Sequence, residues 1–246
     1  MFRVLSLGNS FSQDAHTYLP KMAMDKGYRM EFVNLYIGGC DLKKHWELAN
    51  HNLNDYLLEE NAVSTGRYVS FPEMLELHPW EIITFQQASH FSGKPQSYLP
   101  YIDHLGELAR QARPYAQLYF HQTWAYETDS DHWGFKHYNC DQEEMHRRIC
   151  DAAEMTSNLL DAPIIPVGDI IQQIRINVPE FDYRKSGLSL CRDGFHLSLD
   201  YGRFAASATW FRTLTGELPR IDTYDNMDKA LLEKIIAVID RYFSEK

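Results

Sequence analysis

Phe2-Arg3-Val4-Leu5-Ser6-Leu7-Gly8-Asn9-Ser10 is the stretch that decides the fold. Its first six residues form a nearly continuous apolar run, which is typical of a strand buried on both faces of a parallel sheet. Gly8-Asn9 is a turn signal, and a helical pattern follows Ser10. The stretch therefore predicts the opening strand, turn and helix of an α/β domain. Ser10 would then lie at the carboxyl edge of the sheet, where such folds place ligands.

The rest of the chain alternates between strand and helix patterns, which predicts a parallel sheet covered by helices on both faces. Further strands are predicted at residues 29–37, 81–86, 116–121 and 163–167. Helices are predicted at residues 13–25, 41–60, 98–112, 141–160, 168–176, 198–215 and 226–243, with a short helical stretch near 72–77. No repeat, linker or low-complexity tract interrupts the alternation, so residues 1–246 are predicted to form one domain.

Composition limits the classes of function. With 44% hydrophobic and 13% aromatic residues, the chain of 246 residues can bury a substantial core. A formal charge of −10 argues against nucleic acid and anionic membranes as partners, because no basic stripe is present to neutralise phosphates. The same charge disfavours phosphorylated substrates and favours neutral ones.

The cysteines and the N-terminus indicate the cellular compartment of the protein. Cys40, Cys140, Cys150 and Cys191 show no C-x-x-C spacing, so they are expected to be free thiols in a reducing compartment. No signal peptide and no apolar stretch of about 18–20 residues is visible. The expectation is a cytoplasmic protein, with a trimmed export signal left open as an alternative. The sequence does not predict the oligomeric state.

A second motif, Asp193-Gly194-Phe195-His196, lies almost a full chain away from the first and directly precedes a predicted helix. Together the two motifs could supply a Ser-His-Asp triad, which is recognised by geometry rather than by sequence order. Each also has a structural interpretation: Ser10 as the N-cap of the next helix, and His196 as a helix-capping histidine beside a surface carboxylate.

These motifs together resemble the SGNH (GDSL-like) hydrolase superfamily. More narrowly, the chain resembles a branch with a Gly8-Asn9-Ser10-Phe11 first block, a Gly38-Gly39-Cys40 second block and a Gln86-Gln87-x-Ser89 third block. The resemblance implies a flavodoxin-like three-layer α/β/α sandwich with a central parallel sheet of about five strands. It also implies that Ser10 is the nucleophile, that His196 is the base and that Asp193 orients the histidine. No cofactor is expected.

The resemblance further implies an oxyanion hole. Gly39 would donate its backbone N–H beside that of Ser10, although a tight turn would equally explain the two glycines. The family's Gly-x-Asn-Asp block is missing here, and Gln87 is expected to replace its asparagine as the side-chain donor. Ser89 is the alternative donor. A third interpretation is that the glutamines only satisfy backbone groups at a strand end.

The substrate-contacting residues are expected to be Ser89, His90 and Trp124. Trp124 opens a segment, residues 124–139, whose aromatic rings could stack on a sugar. The alternative is a small satellite core that holds the loop down. His90, His121 and His137 also lie near predicted strand ends, but their spacing matches no metal motif, so no metal site is expected.

The predicted activity is hydrolysis of an acyl ester through an acyl-serine intermediate, with an O-acetyl group on a carbohydrate as the expected substrate. Two other classes stay open. One is a non-catalytic carbohydrate-binding domain on the same fold, which the missing asparagine block favours. The other is a phosphate- or nucleotide-binding protein that uses the Gly8-Asn9-Ser10 turn as an anion cradle, which the net charge disfavours.

Overall fold

The computed structural model describes residues 2–224 and 226–245. At its centre lies a seven-stranded sheet with the order β4-β3-β2-β1-β5-β6-β7. The strands are β1 Phe2–Gly8, β2 Met30–Tyr36, β3 Tyr56–Glu60, β4 Val63–Val69, β5 Ile82–Phe85, β6 Gln117–His121 and β7 Ile164–Ile165. The helices are α1 Ser10–His16, α2 Leu19–Asp25, α3 Leu42–Asn50, α4 Phe71–Leu77, α5 Tyr101–Ala112, α6 Gln142–Leu160, α7 Val167–Asn177, α8 Tyr201–Thr215 and α9 Lys229–Ser244.

All five predicted strands are present and form the parallel part of the sheet. β1 pairs with β2 on one side and with β5 on the other, and β6 and β7 continue outward from β5. This order is that of flavodoxin-like folds, and it confirms the predicted α/β class. The chain passes from β1 to β2 on one side of β1. It later crosses to the other side of β1, where β5, β6 and β7 follow in order. The crevice at the carboxyl ends of β1 and β5 is therefore the place where such a fold binds ligands.

The sheet is covered on both faces, because its strand residues alternate between two cores. Val4 and Phe32 pack into the core formed mainly with α1, α2, α7, α8 and α9. Leu5 and Val33 face the opposite core, formed mainly with α3, α4, α5 and α6. This alternation produces the predicted three layers.

The prediction of one helix over residues 41–60 was wrong in its second half. α3 ends at Asn50, and Tyr56–Glu60 instead forms β3, antiparallel to β2. The polar run Asn50-His51-Asn52 ends the helix, and Asn52 has a left-handed φ of 51°. The apolar residues beyond it also fit a strand, since Tyr56 and Leu58 are both fully buried.

β3 and β4 form a hairpin that sequence analysis did not predict. Its turn residues, Asn61 and Ala62, have φ values of 50° and 64°, as a two-residue type I′ turn requires. The hairpin extends the sheet beyond the five expected strands. β4 is exposed along most of its length, so its apolar content gave little signal.

Smaller differences concern helix boundaries. The predicted helix at residues 13–25 is two helices, α1 and α2, and Pro20 lies in the first turn of α2, where its missing N–H is tolerated. α8 begins at Tyr201 and α9 at Lys229, each capped by a preceding aspartate side chain. The four cysteines are free thiols, as expected. Among the helices of the described residues, none is long and apolar enough to span a bilayer.

Candidate active site

The turn after β1 presents Ser10 as the first residue of α1. Asn9, not Ser10, is the N-cap: its Oδ1 accepts from the backbone N–H of Phe11 at 3.0 Å. The Asn9 Nδ2 group donates to the carbonyl of Cys40 at 3.1 Å, which ties this turn to the second block. An aspartate could not make that second bond, which gives a physical reason for asparagine here. The interpretation of Ser10 as an N-cap is therefore wrong, and its hydroxyl is available for another partner.

Ser10, His196 and Asp193 form one hydrogen-bonded chain. The Ser10 Oγ lies 2.9 Å from the Nε2 of His196, and the Nδ1 of His196 lies 2.7 Å from the Oδ2 of Asp193. The other carboxylate oxygen of Asp193 accepts from the backbone N–H of His196 at 2.7 Å and from that of Phe195 at 3.2 Å. This arrangement fixes the imidazole in the tautomer whose Nε2 accepts a proton from serine.

The ionisation of Asp193 supports the same arrangement of Ser10, His196 and Asp193. Burial raises the pKa of the Asp193 carboxyl, but its hydrogen bonds to the side chain and backbone of His196 outweigh burial and hold the pKa below its usual range. Asp193 is therefore ionised at neutral pH and can stabilise an imidazolium on His196.

A fully buried carboxylate, Asp14, holds the loop that carries Asp193 and His196. Asp14 accepts from the backbone N–H of Leu197 at 2.9 Å and forms ion pairs with Arg192, at 3.0 Å, and Arg203, at 2.7 Å. Arg192 and Leu197 flank the loop on its two sides, so Asp14 fixes both of its ends. Asp14 itself lies one turn after Ser10 on α1.

The segment after β6 holds the same loop from the other side. The indole of Trp124 donates to the carbonyl of Phe195 at 2.7 Å, and the backbone N–H of Glu127 donates to the carbonyl of Gly194 at 2.8 Å. Glu127 is fixed in turn by a buried ion pair with Arg175 at 2.9 Å. Sequence analysis missed Asp14, Glu127 and Arg175, because their roles depend on contacts between residues far apart in the chain.

The Ser10 hydroxyl opens into a cavity of about 230 Å³. The residues that line it are Asn9, Ser10, Phe11, Tyr36, Gly38, Gly39, Ser89, His90, His132, Phe195 and His196. Gly39 has a φ of +64°, a conformation that favours glycine. The first, second, third and last sequence blocks thus meet in one place. A larger cleft, of about 440 Å³ and lined by Trp80 and Tyr115 among others, lies at the opposite edge of the sheet, away from these groups.

The structure contradicts the expectation that Gln87 is an oxyanion donor. Its Oε1 accepts from the backbone N–H groups of Leu42 and Ala88, and its Nε2 donates to the carbonyl and hydroxyl of Ser97. Both ends of the amide are therefore used to tie loops together, away from the cavity. Ser89 lines the cavity instead, and its hydroxyl lies 2.8 Å from that of Tyr126.

The expectation that Trp124 contacts substrate is also contradicted. Trp124 is fully buried and stacks on Phe11 with ring centroids 4.1 Å apart. Tyr126 and Tyr138 are fully buried as well, so most of the aromatic segment is the satellite core that was the alternative interpretation. Trp133 differs, since 57% of its surface is exposed and its ring lies 4.8 Å from that of His90.

The histidines near the strand ends have different surroundings. His90 lines the cavity, and burial, with a smaller contribution from His132, lowers its pKa to about 4. His121 is fully buried and its Nδ1 lies 2.7 Å from the Oε1 of Gln86, so it belongs to the core. No shared metal cluster of His90, His121 and His137 is present among the described residues. His132, which sequence analysis did not single out, lines the cavity beside Phe195.

Comparison with known proteins gives a family and a fold. A family model described as "Domain of unknown function (DUF4886)" matches residues 3–234. The crystal structure of a DUF4886 family protein from Bacteroides uniformis ATCC 8492 is 32% identical, with a TM-score of 0.89 over 98% of this chain and 94% of that one. No curated protein matches the chain.

More distant solved structures share the fold. A proposed SGNH hydrolase from Slackia heliotrinireducens is 20% identical, with a TM-score of 0.59 over 87% of this chain and 98% of that one. A catalytic mutant of an acetylxylan esterase from Geobacillus stearothermophilus is 10% identical, with a TM-score of 0.55 over 89% of this chain and 97% of that one. The chain therefore has an SGNH-like fold.

Proposed function

The chain belongs to the DUF4886 family, and we propose that it is a serine hydrolase that cleaves acyl esters through an acyl-serine intermediate. The observation that carries this proposal is the hydrogen-bonded chain from Ser10 through His196 to Asp193, which opens into a cavity at the carboxyl edge of the sheet. A serine bonded to a histidine that a carboxylate orients is the arrangement that activates a hydroxyl for attack on a carbonyl.

Each group of the triad has a defined part in the proposed reaction. His196 takes the proton from the Ser10 hydroxyl as its oxygen attacks the ester carbonyl, and it returns that proton to the departing alkoxide. Asp193 holds the Nδ1–H of His196 and stabilises the imidazolium that forms. A water molecule, deprotonated by the same histidine, then attacks the acyl-serine. The acyl–Oγ bond breaks, the carboxylic acid leaves, and His196 returns its proton to the Ser10 oxygen. No cofactor takes part in these reaction steps.

Three donors are suited to the developing oxyanion. Ser10 is the first residue of α1, so its backbone N–H has no acceptor within the helix. The helix dipole also favours negative charge at this end. The N–H of Gly39 has no backbone partner among the described residues and lies on the cavity wall. The third is the Ser89 hydroxyl, which is free to donate into the cavity when it accepts from the Tyr126 hydroxyl.

This assignment predicts opposite effects at two neighbouring polar residues. Ser89→Ala is expected to lower kcat by about 10²–10³ with little change in KM, because an oxyanion donor acts mainly in the transition state. Gln87→Ala is expected to lower the melting temperature, since it removes loop ties, and to affect kcat less. Steady-state kinetics and thermal melts on both variants measure this. The reverse pattern would return the oxyanion role to Gln87.

The proposed substrate is an O-acetyl group on a carbohydrate. The cavity volume of about 230 Å³ suits a short acyl chain, and the charge of −10 favours a neutral substrate. The fold is shared with an acetylxylan esterase. Exposed Trp133, beside His90 at the cavity, offers the one feature of the aromatic segment suited to stacking on a sugar ring.

Trp133 gives a test of the carbohydrate. Trp133→Ala is expected to raise KM for an acetylated oligosaccharide about 10-fold, the equivalent of one lost stacking contact, and to leave hydrolysis of p-nitrophenyl acetate unchanged. The small ester does not extend beyond the cavity and serves as the internal control. Equal loss on both substrates would mean that Trp133 supports the site rather than the sugar.

Fluorophosphonate labelling tests the proposed reaction without a choice of substrate. Intact-mass analysis is expected to show one adduct per chain, and peptide mapping to place it on Ser10. Turnover of acetyl esters over long-chain esters would then support the acyl preference. A protein that takes no adduct and hydrolyses no ester, but binds sugars, would favour the non-catalytic carbohydrate-binding function instead.

A further inference from the structure

A second cluster of reactive side chains lies outside the catalytic cavity. His146 and Cys150 are four residues apart on α6, so they lie on one face of that helix. Asp169, in the first turn of α7, faces them, and the ligand atoms of the three residues all lie within 4.8 Å of one another. Nothing in the proposed hydrolysis uses these residues.

The three ligand atoms are close enough together to share one metal ion. The Sγ of Cys150 lies 3.5 Å from the Nε2 of His146 and 3.1 Å from the Oδ1 of Asp169, and that oxygen lies 3.6 Å from the same nitrogen. Sulfur, nitrogen and oxygen ligands of a tetrahedral zinc ion, at their usual bond lengths, are about 3.3–3.6 Å apart. The two separations from the His146 nitrogen lie in this range, whereas the Sγ–Oδ1 separation of 3.1 Å is shorter because the thiol donates to the carboxylate. Loss of the thiol proton on metal binding would let these two atoms move apart to the zinc distance.

Neighbouring residues hold Asp169 in the way that supporting residues hold metal ligands. Gln122 accepts from the backbone N–H of Asp169 at 2.9 Å and donates to the Oδ1 of Asp169 at 3.2 Å. The Tyr242 hydroxyl donates to the other carboxylate oxygen.

We propose that His146, Cys150 and Asp169 form a zinc-binding site that joins α6 to α7. Thiolate, imidazole and carboxylate are the ligands that zinc takes in proteins, whereas magnesium and calcium prefer oxygen alone. Binding replaces the thiol proton of Cys150 with Zn²⁺, and that proton leaves to solvent. This differs from the expectation of no metal site, which depended on the absence of a recognised metal-binding spacing among the histidines and cysteines. The signal that could have found it is the i, i+4 spacing of His146 and Cys150.

Cobalt chloride is the probe that reports the ligands directly. Metal-free protein is titrated with Co²⁺, and one equivalent is expected to produce visible bands of tetrahedral cobalt and a sulfur-to-cobalt charge-transfer band. Zinc chloride is expected to displace the cobalt and to raise the melting temperature with the logarithm of free zinc. None of these readouts depends on ester hydrolysis, so failure of this proposal and failure of the proposed function are distinguishable.

Substitutions of two proposed ligands and of one control cysteine test which residues bind the metal. Cys150→Ser is expected to abolish the charge-transfer band and to weaken zinc binding by more than about 100-fold, the upper range for loss of a merely supporting residue. Asp169→Asn, which conserves size, is expected to weaken binding comparably and stands in if Cys150→Ser does not fold. Cys140→Ser, which removes an exposed thiol ahead of α6, is the matched control and is expected to bind as the wild type does. A wild type without the charge-transfer band, or a band that survives Cys150→Ser or disappears in Cys140→Ser, would overturn the proposal.

Discussion

Ser10→Ala is expected to reduce acyl-ester turnover by at least about 10⁴-fold and to abolish fluorophosphonate labelling, because loss of the serine or histidine of a triad removes nearly all of its rate. The variant is expected to fold as the wild type does. Asn9 rather than Ser10 caps α1, and the one side-chain partner of the Ser10 hydroxyl in the described structure is His196. Activity and thermal melting, measured on the same preparation, separate the two effects.

Ser12→Ala is the matched control on the same helix. The Ser12 hydroxyl is buried, donates to the carbonyl of Asn9 at 2.8 Å and lies 2.7 Å from the Oδ1 of Asn34. Its loss is expected to cost about 1–3 kcal/mol of stability while the adduct on Ser10 persists. A Ser10→Ala enzyme that keeps more than a hundredth of the wild-type rate would remove Ser10 from the proposed mechanism.

Acid is expected to unfold the protein well above the range where carboxylates titrate. Burial lowers the pKa of His16, His45 and His121 to about 3, with His16 adding to the effect at His121. In the unfolded chain each takes up a proton near pH 6.5. Between pH 6.5 and 3 the unfolded state therefore binds more protons, so the free energy of unfolding falls as pH falls, by about 1.4 kcal/mol per pH unit for each histidine.

Together these histidines are expected to remove about 6 kcal/mol by pH 5, comparable to the whole stability of a typical domain. Urea denaturation at pH 8, 7, 6 and 5 measures the slope. His45→Gln is expected to reduce it by about a third. A slope no larger than that of one histidine would contradict the prediction.

The sequence was sufficient for the parallel sheet, because each of its five strands is a short apolar run bounded by turn residues. It was not sufficient for the hairpin of β3 and β4. Leu42, Trp46, Leu53 and Leu57 fit helical spacing, although Leu53 is 47% exposed and Leu57 lies in a strand. Such short patterns fit both periods, and pairing with β2 decided between them.

The candidate site divides in the same way. Ser10 follows from a short motif at a strand end, and Asp193 and His196 follow from a short motif that precedes a helix. The structure brings the three together, while their roles stay predictions. The choice between Gln87 and Ser89 depended on which side chain the short 3₁₀ turn Ser89–Phe91 directs to the cavity, and sequence does not fix that. The content of aromatic residues likewise could not distinguish buried Trp124 from exposed Trp133.

The position of Asp14 has a consequence for motion. Ser10 begins α1, and Asp14 on the same seven-residue helix holds both ends of the loop that carries His196, a residue 186 positions away from Ser10 in the chain. A small shift of α1 against the sheet therefore displaces the serine and the histidine in the same direction. We expect thermal fluctuations of α1 to be correlated across the pair, so that the separation between the reacting oxygen and its proton acceptor changes less than either position does.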